Sequence, residues 1–300
     1  MAAMRNLSKA LLRAVLTVSV SALPLISMAG GMQPLDDAQL AAVQGSDGLA
    51  FNLVGFSLSG PLTLNYTSPN GATLNLANIA YSRSDDLAST FSDPYRLNIV
   101  SRSGGLADMI VLSEPANAAG LLRWQFAADL SVVADGVERQ GGALVVNDLI
   151  SRGGSLSLTT PATPGVDGAA FGLGLNVDIG MLALRPRGRA DSAGALQLSG
   201  LHLGAADEQG NLLGTPWQLA NATTQPGLLN AVTDSNGVPS LHLSIAWPSA
   251  GSSAPLGSLQ IDNISFLPTS AAAGAAVDLG SSRIGTMQIQ YLDVKLRGGL

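Results

Sequence analysis

The sequence predicts an all-β protein: a large twisted β-sandwich or β-roll, preceded by a signal peptide and one short helix. Three observations carry this. Apolar residues alternate in long runs, as in Leu122, Trp124, Phe126, Ala128, Leu130 and Val132, and again in Leu241, Leu243, Ile245 and Trp247. Period two places such residues on one face of a pleated strand. Turn-forming clusters separate the runs, among them Ser68-Pro69-Asn70-Gly71, Ser103-Gly104-Gly105, Ala134-Asp135-Gly136, Gln209-Gly210-Asn211 and Asp234-Ser235-Asn236-Gly237. The third observation is an eight-residue pattern with apolar residues at i, i+2, i+5 and i+7.

That pattern occurs as Phe51/Leu53/Phe56/Leu58, Leu74/Leu76/Ile79/Tyr81, Val177/Ile179/Leu182/Leu184, Leu196/Leu198/Leu201/Leu203, Leu259/Ile261/Ile264/Phe266 and Met287/Ile289/Leu292/Val294. On a helix these offsets fall at about 0°, 200°, 140° and 340°, which is no single face. On a straight strand the second pair flips to the opposite face. A bulge at the two central residues restores one inward face. Val54-Gly55, Ser199-Gly200 and Asp262-Asn263 suit such a kink. Several copies recur at roughly the 20-residue spacing of a solenoid rung, so an elongated β-helix is the alternative architecture. A transmembrane barrel fits less well, because aromatics are only 4% and cannot build two girdles.

In chain order, residues 1–29 read as a signal peptide. Arg5, Lys9 and Arg13 lead an apolar stretch from Ala14 to Ile26, followed by Ser27-Met28-Ala29 with small residues at the cleavage positions. Residues 30–48 form a helix-and-turn motif. Asp36 or Asp37 caps a helix whose stripe is Leu35, Leu40 and Val43, and Gly45 ends it. On the residues alone, this helix covers one open end of the β-structure. Residues 49–300 are the β-rich domain, with a weak boundary near residue 165.

The segment Leu35, Asp37, Leu40, Val43, Gly45, Asp47 and Gly48, spaced L-x-D-x-x-L-x-x-V-x-G-x-D-G behind a signal peptide, resembles the FilA-like pilus-system proteins of Gram-negative bacteria. The likeness is sharp over about fifteen residues and includes one departure, Ser46 where Gln is common. It implies export and association with a surface appendage, and it brings no catalytic residues. The same residues also fit the spacing of a double-glycine leader cut after Ser46, although such leaders begin the chain and precede short peptides.

Composition narrows the function. The chain has 300 residues, 12% charged, 35 glycines, no cysteine and two histidines. Without cysteine there are no disulfides, thiolate nucleophiles or Cys-ligated metals. Lys+Arg is 15 against Asp+Glu 21; removing the three basic residues of the leader leaves 12 against 21, a formal charge of −9. Such a balance argues against nucleic acid as a partner. No later window supplies the roughly 18 apolar residues of a membrane-spanning helix.

Few residues suggest chemistry, and no cofactor or metal is expected. His202 and His242 occupy the polar phase of their strands and should face solvent, with no carboxylate at ligand spacing. Serines are plentiful, but G-x-S-x-G is absent. The acidic turns at Asp207–Asn211 and Asp234–Gly237 lack the distal Glu of a calcium loop, and Asp85, Asp86 and Asp93 read as a solvated acidic loop. Arg185-Pro186-Arg187-Gly188-Arg189 is the one basic cluster and reads as a solvated turn.

The expected function is therefore non-enzymatic. The export signal and the FilA-like resemblance imply an exported structural or accessory protein of a pilus or surface-adhesion system, expected to act in the periplasm, at the outer-membrane surface or in an extracellular appendage. Its partners would be other proteins of that system and copies of itself, joined through strand edges. Met287, Ile289, Tyr291, Leu292 and Val294 mark the candidate assembly edge. The alternative is a glycan- or lipid-binding sandwich, with Trp124, Trp217 or Trp247 exposed as a platform.

Overall fold

The computed structural model describes residues 48–68, 71–85, 93–233, 237–269 and 275–297, so residues 1–29, expected to be a signal peptide, and Leu35 to Asp47 of the motif lie outside the described residues. Among the described residues there is no helix, and the strands form two large antiparallel sheets, in agreement with a β-sandwich and not a closed barrel.

The chain lays strands alternately on sheet A and sheet B. β1 (Leu49–Phe51) begins A, while β2 (Ser57–Leu58), β3 (Leu64–Thr67) and β4 (Thr73–Arg83) begin B. β5 (Tyr95–Val100) and β6 (Met109–Ser113) join A; β7 (Trp124–Ala134) and β8 (Val137–Ser151) join B. β9 (Ser155–Thr159) and β10 (Ala169–Leu175) return to A, then β11 (Val177–Arg185) and β12 (Leu196–Ala205) to B. β13 (Trp217–Ala220), β14 (Gly227–Thr233) and β15 (Pro239–Ile245) extend A, and β16 (Gly257–Phe266) and β17 (Val277–Met287) extend B. β18 (Leu292–Arg297) is the last strand of A.

Spatial order follows chain order in both sheets. Sheet A runs β1-β5-β6-β9-β10-β14-β15-β18, with β13 also against β10. Sheet B runs β2-β4-β7-β8-β11-β12-β16-β17, with β3 also against β4. The chain therefore advances along one axis, as a solenoid does, but by antiparallel hairpins and not by parallel rungs. The β-helix alternative is corrected on that ground. Residue 165 lies between β9 and β10, which pair with each other in sheet A, so the boundary expected there falls inside a hairpin. The described residues belong to one compact unit.

Register places every crossing between sheets on the same side. The end of β8 (Ser151) pairs with the start of β11 (Val177), and the end of β12 (Ala205) with the start of β16 (Gly257). In sheet A, the end of β6 (Ser113) pairs with the start of β9 (Ser155), and the end of β15 (Ile245) with the start of β18 (Leu292). We call this side the spine. Some crossings are very short: Asn176 alone joins β10 to β11. The hairpins β5–β6, β7–β8, β9–β10 and β11–β12 turn at the opposite margin. One of these turns, Asp135-Gly136, has positive φ at both residues (53° and 73°), the conformation that the sequence Ala134-Asp135-Gly136 predicts for a two-residue hairpin.

The eight-residue pattern marks a line of kinks. Ile179 pairs with Leu201 and Met181 with Ser199, leaving Gly180 and Gly200 opposite each other without a ladder pair. The same gap sets Asp148 opposite Gly180 and Gly200 opposite Asp262. Asn78, Asp148, Gly200 and Gly280 have φ of 51°, 52°, 61° and 82°. The line therefore runs through β8, β11, β12 and β16, and apolar residues before and after it share a face, while β4 has its own bulge with Asn78 and Ile79 opposite Ala128. One resulting ladder is Phe126–Val146–Leu182–Leu198–Ile264. In the first and last copies the central residues instead carry the chain between sheets, from β1 to β2 and from β17 to β18.

Gly200 occupies its left-handed conformation with Asp262 Oδ2 only 2.2 Å from where a Cβ would stand. Gly200→Ala is expected to lower stability by roughly 1–2 kcal/mol, the cost of an L-residue in that region, in urea unfolding followed by circular dichroism. An unchanged midpoint would show that the kink does not need glycine.

Candidate functional site

The two apolar faces are turned toward each other. At the spine, the Trp124 side chain of sheet B lies beside Tyr95 of sheet A, and the Trp217 ring of sheet A lies where a Cβ on Gly257 of sheet B would stand. Trp217 also donates through Nε1 to the Pro255 carbonyl at 2.9 Å. Aromatics fill the spine near the first strands: Tyr81 stacks on Trp124 at 4.8 Å, Phe51 stacks on Tyr95 at 5.5 Å, and Phe56 meets Tyr81 and Trp124 edge-on. Burial raises the pKa of both Tyr81 and Tyr95, and nearby Glu114 adds to the effect.

Burial fades away from the spine. Trp124 is 3% exposed and Ile245 5%, both at the crossings. Near the hairpin margin on the same inner faces, Ile99 is 65% exposed and Leu241 48%, with Leu158 and Phe266 also exposed. Exposed and half-buried members continue across neighbouring strands, as in Ile99–Ile110–Leu158–Phe171. The sandwich is thus a trough, closed along the spine and open along the hairpins. At roughly 4.8 Å per strand, eight neighbouring strands make it about 35 Å long.

The candidate assembly residues fall at one end of the molecule. Met287 is the last residue of β17, which ends the path of sheet B; Leu292 and Val294 lie in β18, which ends the path of sheet A and pairs with β15. Between these strands, the Ile289 carbonyl accepts from buried Gln225, and Tyr291 stacks on Trp247 at 5.6 Å and 9°. Of the three tryptophans proposed as a platform, Trp124 and Trp217 are buried, and Trp247 is 62% exposed.

The outer faces carry the polar chemistry. His202 is half-buried, not simply solvent-facing: Nδ1 shares a 2.7 Å hydrogen bond with Asp178, and Nε2 lies 3.5 Å from Asp262. Arg152 donates to Asp178 at 2.8 Å. Cross-strand register brings these carboxylates to the histidine, which local spacing could not reveal. His242 shares a 2.9 Å bond with Asn230, and its buried Nε2 sits 3.2 Å from Asp293 Oδ2. Among the described residues, no cluster of three or more His, Asp or Glu is arranged to hold a metal ion.

The remaining candidates are occupied locally. Arg189 bonds to Asp129 at 2.7 Å and to the carbonyls of Ala77 and Asn78, while Arg187 and Asp191 are 3.9 Å apart. The basic cluster is therefore partly a tie between neighbouring hairpins. Beside it lies a cavity of about 560 Å³, lined in part by Asn78, Asp129, Glu138, Gln140 and Arg187. Asp207 spends its oxygens on the backbone of Gln209 and Asn211 and on the Asn211 side chain, which closes the turn. Asp85 pairs with buried Arg83, and Asp93 accepts from the Ala116 amide at 2.6 Å. Asp86 and Asp234 lie outside the described residues.

Gly48, the last residue of the leader-proximal motif, is described. A Cβ there would stand 2.1 Å from the Leu97 carbonyl oxygen and 2.9 Å from Asn98 Cα. The motif thus ends in a glycine because backbone meets backbone where β1 joins β5. Comparison of the chain with protein-family models, curated proteins and solved structures finds no match.

Two outcomes follow from these contacts. Gly48→Ala should detach β1, seen as faster amide exchange at Leu49–Phe51 without global unfolding. The second concerns pH. Burial opposes charge on His202, but Asp178 and Asp262 outweigh it and raise its pKa above 6.5. Its stabilisation is complete below about 6.5 and is lost as pH climbs through the raised value. Burial likewise opposes charge on Asp178, yet His202 and Arg152 hold its pKa below 3.8, so its contribution is lost as pH falls through that depressed value. Urea midpoints should decline as pH rises from about 6.5 through the raised value, and His202→Gln should flatten that decline.

Proposed function

We propose that the chain is an exported, non-enzymatic structural or accessory protein of a bacterial surface appendage, working by strand addition. The observation supporting this reading is the pair β17 and β18, which end the two sheets at the same end of the molecule. β17 is 11 residues long and exposed along most of its length. A long open edge offers unpaired amides and carbonyls to another chain, and binding of this kind requires no catalytic pocket. The FilA-like motif at Leu35–Gly48 points the same way. Shearing intact cells and blotting the fractions tests the proposal. Recovery with sheared appendages is expected, whereas recovery solely as a soluble periplasmic monomer would sink it.

The trough favours a second reading, a site for a long aliphatic chain such as that of a lipid. Its margin is lined by Ile99, Ile110, Leu158, Leu229 and Leu241, which offer hydrocarbon contact. Each methylene moved from water onto such a surface contributes about 0.8 kcal/mol. Titration with the fluorescent fatty acid cis-parinaric acid should saturate. The double variant Ile99→Asp/Leu158→Asp should weaken binding at least tenfold while leaving the circular dichroism spectrum unchanged. Absence of saturable binding would remove this reading.

A further inference from the structure

The geometry points to head-to-tail stacking of copies of this chain, the C-terminal end of one against the N-terminal end of the next; the inference rests on the strand-edge reading above and names the partner. Each sheet has eight strands on its continuous path, and every neighbouring pair is antiparallel. With an even number of strands, the two terminal strands of a sheet run in opposite directions. β1 is therefore antiparallel to β18, and β2 and β3 are antiparallel to β17.

A second copy translated along the molecule brings its β1 beside β18 and, in the same movement, its β2 and β3 beside β17. Both new pairings are antiparallel. The spine continues the spine, and the inner faces remain inner. β2 and β3 lie in line along β4, opposite Ser82–Tyr81 and Leu76–Thr73, so together they present an edge nearly as long as β17.

The side chains at the two ends agree with this arrangement. Leu49, Phe56, Leu58, Leu62, Leu64 and Tyr66 are exposed at the first strands. Val277, Leu279, Ile284, Leu296 and the stacked pair Trp247–Tyr291 are exposed at the last. Apolar side chains at a sheet end are normally avoided because they invite pairing. A tail-to-tail dimer could also pair strands, but among the described residues it would leave the first end uncovered. Head-to-tail contact covers both, and because it is heterologous it propagates into a filament whose trough is continuous.

The absence of cysteine permits a clean test on the purified chain from residue 30 onward. Ala50→Cys marks the outer face of β1, and Lys295→Cys marks the outer face of β18. Treated with a short bifunctional maleimide, the double variant is expected to give a ladder of trimers, tetramers and longer species, whereas either single variant gives no more than background dimer. A double variant that stays monomeric overturns the inference. So does efficient dimer formation by Lys295→Cys alone, which would mark a tail-to-tail pair. If the ladder is absent but the protein is still recovered with sheared appendages, homotypic stacking falls and the strand-edge function stands with a different subunit as partner.

Discussion

Keeping one apolar face continuous across a sheet that bends is the constraint on which the rest of this structure depends. Side chains alternate with period two, so a single extra residue moves every following side chain to the other face. In sheet B the extra residue is supplied at the same height on β8, β11, β12 and β16. Asp148 and Gly200 take the left-handed conformation there, and Gly180 and Asp262 stand opposite them without ladder pairs. These residue types occupy that region at the least cost. Without them, Leu182 and Ile179 could not both face sheet A, and half of the apolar residues of sheet B would point outward.

The kinks were legible because they leave a mark on spacing: i, i+2, i+5, i+7 fits neither a helix nor a straight strand. The hairpin at Asp135-Gly136 was legible for the same reason, since local chemistry dictates local φ. The alternation of hairpins between two sheets was not, because the choice of sheet is made by partners far along the chain. Likewise, His202 and Asp178 are 24 residues apart, and Arg189 and Asp129 are 60 apart. Their meeting is a product of register. The openness of the sandwich also escaped the pattern, which distinguishes an inward face from an outward one but not a filled interior from an unfilled one. Trp124, Trp217 and Trp247 carry no local signal that two are buried at crossings and one is exposed.

The low charge content acquires a reason in this arrangement. The outer faces are built from small residues such as Ala143, Ala183 and Ser131, which neighbouring backbone and longer side chains cover almost completely. Charged groups are concentrated in ties across strands and hairpins. Arg152 on the β8–β9 crossing reaches Asp178 on β11, and Arg189 beyond β11 reaches Asp129 on β7. The Asp129 carboxylate is also bonded by Asn78, and together these donors outweigh burial and hold its pKa low. Such partly exposed pairs add little stability individually, but they fix which hairpins lie side by side.

The agreement between chain order and spatial order has a consequence for how the molecule acquires its structure. Each hairpin needs only the one before it in the same sheet as a template, so no strand waits for a partner synthesised much later. A chain emerging from a ribosome or a translocation channel can add its layers as they appear, with the growing front always carrying the unpaired edge. Premature release would leave a shorter version of the same architecture and not a tangled intermediate, and among the described strands β17 and β18 are the last to join.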